Sequence, residues 1–308
     1  MKELNPNPKH IGRRNFLQTS LGGLAAVGAA QSVATAQVPR DEVANDFKIT
    51  KGCIRQSVMG WCFKPMPVPE LAKACKEIGL VAMEGISRKF YPEIQKLGLH
   101  ISLVGSHGFK NGPVDPDHHA ECRDKLNDAL DLCIQEGYKR VITFTGFAKK
   151  GISDQKAGEN CIELWKSVLP KAEKHGIQIC LEHLNTRDDS HPMKGHPGYW
   201  GDDVDVCADL IRKVDSPSMK LLFDVYHVQI MNGDVIRRIH QHKDIIGHYH
   251  TAGNPGRAEL DDTQEINYPA VMRAIKDTGY TGYVAQEFIP TWDDKIAALR
   301  HAASVCDV

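Results

Sequence analysis

Three carboxylates and one imidazole stand at matching places in the second half of the chain. Glu182 ends the run Ile179-Cys180-Leu181-Glu182, and Asp224 ends Leu221-Leu222-Phe223-Asp224. His250 lies in Gly247-His248-Tyr249-His250-Thr251, and Glu287 follows Val284-Ala285-Gln286. Each carboxylate directly follows an apolar stretch, where an unpaired charge is costly to bury. Taken singly, each reads as a salt-bridge partner or a helix cap, Asp224 especially. If the four runs lie side by side, their ends converge, and a divalent cation is the simplest way to hold them without repulsion. The expected cofactor is one divalent ion per chain. The donor set suits Mn²⁺ first, with Mg²⁺, Co²⁺ and Zn²⁺ left open. Such an ion, acting as a Lewis acid between a carbonyl and a neighbouring hydroxyl, favours an enediolate. Glu182 and Glu287, from strands three apart, would then serve as acid and base. Return of the proton to the adjacent carbon is isomerisation, and return to the same carbon from the other face is epimerisation. Glu84 and His107 end two earlier apolar runs and read equally as pocket lining or as structural pairs. His183, His191 and His196 read as loop or supporting histidines rather than ligands.

The elements that must position these groups alternate regularly. Short apolar, β-rich runs cover residues 56–63, 80–86, 100–107, 138–146, 177–184, 219–227, 245–253 and 282–290. Amphipathic segments fill the gaps, as in 70–78 with Leu71, Ala74, Cys75 and Ile78 at helical spacing. Further helices are expected over 120–136, 159–175 and 268–278. Gly79, Gly137, Gly176 and Gly279 end these four segments. Eight strand–helix units predict a single (β/α)₈ TIM barrel, with the site where strands end and loops begin. A doubly wound open sheet would call for a Gly-x-Gly-x-x-Gly turn or a P-loop after the first strand, and neither is present. The long segment 185–204, rich in Asp, His, Pro and Gly, would lie over that face as a lid or pocket wall.

Certain stretches resemble a known family. They are Phe223-Asp224-Val225-Tyr226-His227, the run from His248 to Arg257, Glu265-Ile266-Asn267-Tyr268-Pro269 and Gln286-Glu287-Phe288. Together they are similar to the hydroxypyruvate isomerase branch of the xylose isomerase-like TIM barrels, a group that also holds the ketose 3-epimerases. The likeness is densest over 177–290, and the Glu265–Pro269 stretch is the most branch-specific piece. The resemblance implies that Glu182, Asp224, His250 and Glu287 are the metal ligands. It implies that His227 and Arg257 contact substrate oxygens, and that Asp188 stands where the epimerases carry an acidic substrate contact. Hydroxypyruvate isomerases often have Gln at the position of His250, which brings this chain closer to the epimerases. Arg257 would suit a substrate carboxylate, but an ion pair with Glu259 or Asp261 is its plainer reading. The implied substrate is a small hydroxy-carbonyl compound, hydroxypyruvate/tartronate semialdehyde or a ketose. A ketose 3-epimerase is the first alternative, and a non-catalytic exported sugar-binding protein the second.

Composition narrows the field further. The 308 residues carry 38 Lys and Arg against 39 Asp and Glu, a formal net charge of −1. That balance argues against a nucleic-acid partner or a polybasic membrane patch, and the barrel body lacks a run of about 20 apolar residues. A phosphodiesterase on the same barrel would call for three clustered zinc ions and more histidines. Residues 1–36 read as a cleavable export signal. Arg13-Arg14-Asn15-Phe16-Leu17 precedes a Gly/Ala-rich stretch that ends in Ala34-Thr35-Ala36. The twin-arginine translocase is thus an expected partner, and a periplasmic or otherwise exported location follows, with 37–308 as the barrel domain. A homo-oligomer is left open. The nine cysteines form no Cys-x-x-Cys pair. Cys133 and Cys180, inside apolar runs, are expected to be reduced core residues.

Overall fold

The computed structural model describes residues 46–308, so the export signal lies outside the described residues. Eight parallel strands form one sheet: β1 Arg55–Met59, β2 Ala82–Glu84, β3 His100–Ile101, β4 Arg140–Thr143, β5 Gln178–Glu182, β6 Met219–Asp224, β7 Ile246–Thr251 and β8 Tyr283–Gln286. Their order is β3-β2-β1-β8-β7-β6-β5-β4. Just beyond β3, Val104 bridges Val141 in parallel, donating to the Arg140 carbonyl at 2.9 Å and accepting from Ile142 N at 3.0 Å. This joins the two sheet edges and closes the barrel.

Seven of the eight strands fall inside the expected runs, β1 begins one residue early at Arg55, and each stops short of the expected end. The reason lies in the residues that follow. After β1 the chain turns into a 3-10 turn, Gly60–Phe63, and its apolar side chains pack inward instead of pairing. After β6, Asp224 Oδ1 accepts from Tyr226 N at 2.8 Å and from His227 N at 3.3 Å. It thereby caps a helix where the apolar run alone suggested more strand.

The outer ring is built from α1 Val68–Ile78, α2 Tyr91–Lys96, α3 His119–Glu136, α4 Asp154–His175, α5 Val204–Val214, α6 Val225–Met231, α7 Val235–His242, α8 Tyr268–Asp277 and α9 Lys295–Val305. Gly79 ends α1 in the left-handed region at φ 98°, a backbone that costs a glycine little. One apolar core fills the space between sheet and helices, including Trp165, Tyr268 and Phe288. A second, smaller group, Leu103, Ile142, Cys180 and Leu222, packs separately with Phe144 against it. Leu103 and Ile142 also line the cavity described below, which places this group next to the site. All nine cysteines are free thiols and only Cys53 is exposed, so Cys133 and Cys180 are buried and reduced. Among the described residues, no helix is long and apolar enough to cross a membrane.

Candidate metal centre and cavity

The four strand-end residues converge. Ligand atoms from Glu182, Asp224, His250 and Glu287 all lie within 4.8 Å of one another, and all four residues are buried. Glu182 and Asp224 are the last residues of β5 and β6, His250 lies in β7 opposite Asp224, and Glu287 directly follows β8. The period of two along each strand turns these side chains inward.

Inside the cluster, His250 Nδ1 lies 2.6 Å from Glu287 Oε2 and 3.1 Å from Glu182 Oε1. Asp224 does two jobs. Its Oδ1 caps α6, while its Oδ2 is buried with no hydrogen-bond partner. An orphaned carboxylate oxygen, facing two more carboxylates and an imidazole, is what a hard divalent cation would satisfy. Burial and the neighbouring Glu287 push the Glu182 carboxyl up to about 7. Burial pushes Asp224 up to about 6, with Arg257 opposing. Burial also acts upward on Glu287, but Arg257 and His250 outweigh it and hold this carboxyl down at about 2.

His227 and Arg257 flank the cluster. Asn185 donates to His227 Nδ1 from its backbone N at 3.2 Å and from Nδ2 at 2.8 Å. The His227 proton must then sit on Nε2, which has no hydrogen-bond partner and lies 3.5 Å from Asp224 Oδ2. Arg257 NH2 lies 2.8 Å from Glu287 Oε2 and 3.5 Å from Asp224 Oδ2. Its NH1 donates to the Met193 carbonyl at 2.6 Å, tying segment 185–204 over the site. The anticipated pairing of Arg257 with Glu259 or Asp261 is replaced by other partners. Glu259 accepts from Thr291 and Trp292, and Asp261 from Thr263 and Trp292. Gly253 makes the Arg257 loop feasible, because a Cβ there would run into the Glu259 carbonyl.

Of the remaining candidates only Glu84 touches the cluster. Glu84 is buried, with Oε1 2.8 Å from His250 Nε2 and Oε2 accepting from Ser102 Oγ at 2.5 Å. His107 is fixed outside the cluster, Nε2 to Thr143 Oγ1 at 2.9 Å. Asp188 Oδ2 accepts from Tyr226 OH at 3.0 Å in the covering segment, away from the ligand atoms. His183 is buried, with its ring 6.3 Å from those of Phe223 and His227. His191 is an exposed residue of the same segment, bonded locally to Met193 N. His196 lines the cavity, its ring 4.3 Å from that of Phe109.

Over the cluster opens a cavity of about 250 Å³. Its floor carries Glu84, Glu182, Glu287 and Arg257. Its walls are apolar and include Trp61, Leu103, Phe109, Phe144 and Met193. These wall residues were missed in the sequence. Trp61, Leu103 and Phe144 lie inside expected strand runs, where nothing sets them apart from core residues. Phe109 and Phe144 look like ordinary core residues until the loops are placed.

The chain is similar to the 2-oxo-tetronate isomerase of Cupriavidus necator, 28% identical over 175 residues, which cover 57% of this chain and 64% of that one. It is also similar to the putative hydroxypyruvate isomerase of Homo sapiens, 34% identical over 186 residues, covering 58% of this chain and 64% of that one. The matched stretch thus spans less than two thirds of these relatives' length. Among solved structures, AP endonuclease, family 2, from Brucella melitensis superposes with a TM-score of 0.69 at 24% identity, covering 77% of this chain and 93% of that one. The 3-keto-D-glucoside 4-epimerase from E. coli does so with a TM-score of 0.69 at 17% identity, covering 82% and 98%. Those two superpositions speak to the fold alone. The family model described as xylose isomerase-like TIM barrel matches residues 67–305, and the chain belongs to that family.

Proposed function

We propose that this protein is a divalent-metal-dependent isomerase of small hydroxy-carbonyl compounds, working through an enediolate. The observation that carries this reading is the buried set of three carboxylates and one imidazole, with ligand atoms within 4.8 Å of one another at the floor of a cavity. The names of the similar proteins, hydroxypyruvate isomerase and 2-oxo-tetronate isomerase, support the reaction class.

Glu182, Asp224, His250 and Glu287 would hold the cation, which when bound supplies Lewis acidity at the substrate's carbonyl and hydroxyl oxygens. The protein's own groups do the rest. His227, its Nδ1 engaged by Asn185, presents Nε2–H to a substrate oxygen. Arg257 balances negative charge on the oxygens or pairs with a substrate carboxylate. Glu182, whose carboxyl is pushed up to about 7, is matched to taking and returning a proton near neutrality. Glu287 faces the same space and serves as the second carboxylate for return on the other face. The covering segment, latched by Met193 to Arg257, keeps bulk water from the reacting carbon.

Ketose 3-epimerisation is the second reading. It is favoured by the apolar cavity, which a three-carbon oxo-acid would leave partly filled, and by histidine at position 250. A three-metal phosphodiesterase is disfavoured. The other acid–imidazole group, Glu84 with His248 and His250, is closed on itself at 2.8–2.9 Å.

The test is to incubate Mn²⁺-loaded protein with hydroxypyruvate, 2-oxo-tetronate and a series of ketoses, and follow the products by NMR. Interconversion of hydroxypyruvate or 2-oxo-tetronate supports the first reading and C3-epimer formation the second. No turnover across the series, with metal bound, leaves the exported binding protein as the better account. Export by the twin-arginine route is part of the same proposal, motivated by Arg13-Arg14-Asn15-Phe16-Leu17. Replacing both arginines with lysine should keep the precursor in the cytoplasm, and normal export of that variant would refute the route.

A further inference from the structure

Glu84 is the one carboxylate that ends a strand in the β1–β4 half of the barrel. It is fully buried, and a buried carboxylate is costly unless both oxygens are satisfied. Here both are. Oε2 accepts from Ser102 Oγ at 2.5 Å and lies 2.9 Å from His248 Nε2. Oε1 lies 2.8 Å from His250 Nε2. Strand β2 is separated from β7 in the sheet by β1 and β8, so this contact crosses the barrel interior. The His250 ring is therefore held from two sides, by Glu84 at Nε2 and by Glu182 and Glu287 at Nδ1.

A carboxylate can only accept a hydrogen bond. The His250 Nε2 facing Glu84 must carry a hydrogen, and in the metal-free fold the same rule puts one on Nδ1, which faces Glu287. A cation would take the place of the Nδ1 hydrogen, while Glu84 holds the one on Nε2. Partners of this kind fix a ligating imidazole's tautomer and ring orientation and raise its donor strength. Ser102, one residue past β3, in turn fixes the Glu84 carboxylate. The chain Ser102–Glu84–His250 thus ties three strand ends to one ligand.

We propose that Glu84 is a positioning residue that presents His250 Nδ1 to the cation and so sets the metal affinity of the site. This rests on the reading of Glu182, Asp224, His250 and Glu287 as a metal site. A merely structural role would have Glu84 stabilise the β2–β7 contact without influencing metal uptake.

The experiment is Mn²⁺ titration of the full chain by electron paramagnetic resonance of the free ion, for wild type, Glu84→Gln and Ser102→Ala. The melting temperature of each is measured metal-free. Nitrogen-15 NMR then reads the His250 tautomer in the Mg²⁺-loaded wild type. Glu84→Gln keeps size and shape but replaces an obligate acceptor with an amide. It should weaken Mn²⁺ binding roughly 10–100-fold. Ser102→Ala should weaken it in the same direction by a smaller factor, and it decides the matter if Glu84→Gln does not fold. The wild-type ring should carry its hydrogen on Nε2. Mn²⁺ affinity within twofold of wild type in both variants, or a wild-type ring protonated on Nδ1, would overturn the inference while leaving the metal site standing. No Mn²⁺ uptake by wild type would overturn the metal reading and this inference together.

Discussion

The two halves of the barrel end their strands differently. Strands β5 to β8 deliver Glu182, Asp224, His250 and Glu287, with Arg257 on the loop after β7. Strands β1 to β4 lead into Trp61, Ile86, Leu103 and Phe144, which wall the cavity. One half concentrates charge on buried side chains, and the other supplies shape and apolar contact. Glu84 is the exception that links them, because it leaves the walled half to grip His250. On the proposed function, the difference assigns reaction class and substrate range to separate halves. Changes in β5–β8 should alter the chemistry, and changes in β1–β4 should alter which molecule is accepted.

The largest expected effect breaks the charged half. Glu287→Gln keeps size and a weak ligand oxygen but removes the basic carboxylate. Turnover should fall on the order of 10²–10⁴-fold, with metal content by atomic absorption falling much less. Wild-type turnover in a metal-replete Glu287→Gln variant would remove this residue from the proton path.

Asp224→Asn separates that residue's two jobs. Asparagine caps a helix about as well as aspartate, so α6 should persist and the metal-free melting temperature should drop by only a few degrees. Metal affinity, measured by calorimetric titration, should fall by roughly tenfold or more with one anionic ligand gone. Unchanged affinity would place the cation elsewhere.

The walled half is tested by Phe109→Ala. Its ring lies 4.3 Å from that of His196 and 6.2 Å from that of Phe144, and no charged group depends on it. Losing roughly 1–2 kcal/mol of apolar contact should raise KM about tenfold while kcat stays within a few-fold. A kcat loss as large as the KM change would mean that the two halves do not divide the work.

How far this division could be read beforehand differs by half. The charged half was legible, since Glu182 and Asp224 end apolar runs and His250 and Glu287 stand at the matching places of the next two strand runs. The eight strands were equally visible, each inside its expected segment except for Arg55, one residue ahead of the first. The walled half was not legible. Phe109 and Phe144 carry no mark of function in a linear pattern, and only the loop path after β3 and the end of β4 bring them to the cavity. Strand ends were overrun where the following residues are apolar for other reasons, as in Gly60–Phe63, which packs as a 3-10 turn. The role of Asp224 was framed as cap or ligand, and one oxygen fits each. Ser102 went unnoticed because a lone serine becomes informative only once Glu84 is placed beside it.

The smallest effect is a pH dependence. Without metal, Glu182 and Asp224 are raised to about 7 and about 6, above the roughly 4 of an unfolded chain. Between those values the unfolded chain releases protons that the metal-free fold retains. The metal-free protein should therefore lose stability as pH rises from about 4 towards 7. A cation takes the place of those protons, so the rise in melting temperature on adding Mn²⁺ should be a few degrees larger at pH 8 than at pH 5. An equal or larger rise at pH 5 would show that these carboxyls are already ionised in the metal-free fold.

The central claim is that carboxylates of the charged half move a carbon-bound proton next to a carbonyl. It is tested most directly by proton NMR of hydroxypyruvate and of a ketose in D₂O with Mn²⁺-loaded protein, in wild type, Glu182→Gln and Glu287→Gln. The account predicts deuterium uptake at the carbon between the carbonyl and hydroxyl groups by wild type, and loss of that uptake in at least one variant that still holds metal. Wild-type exchange rates in both metal-bound variants would contradict it.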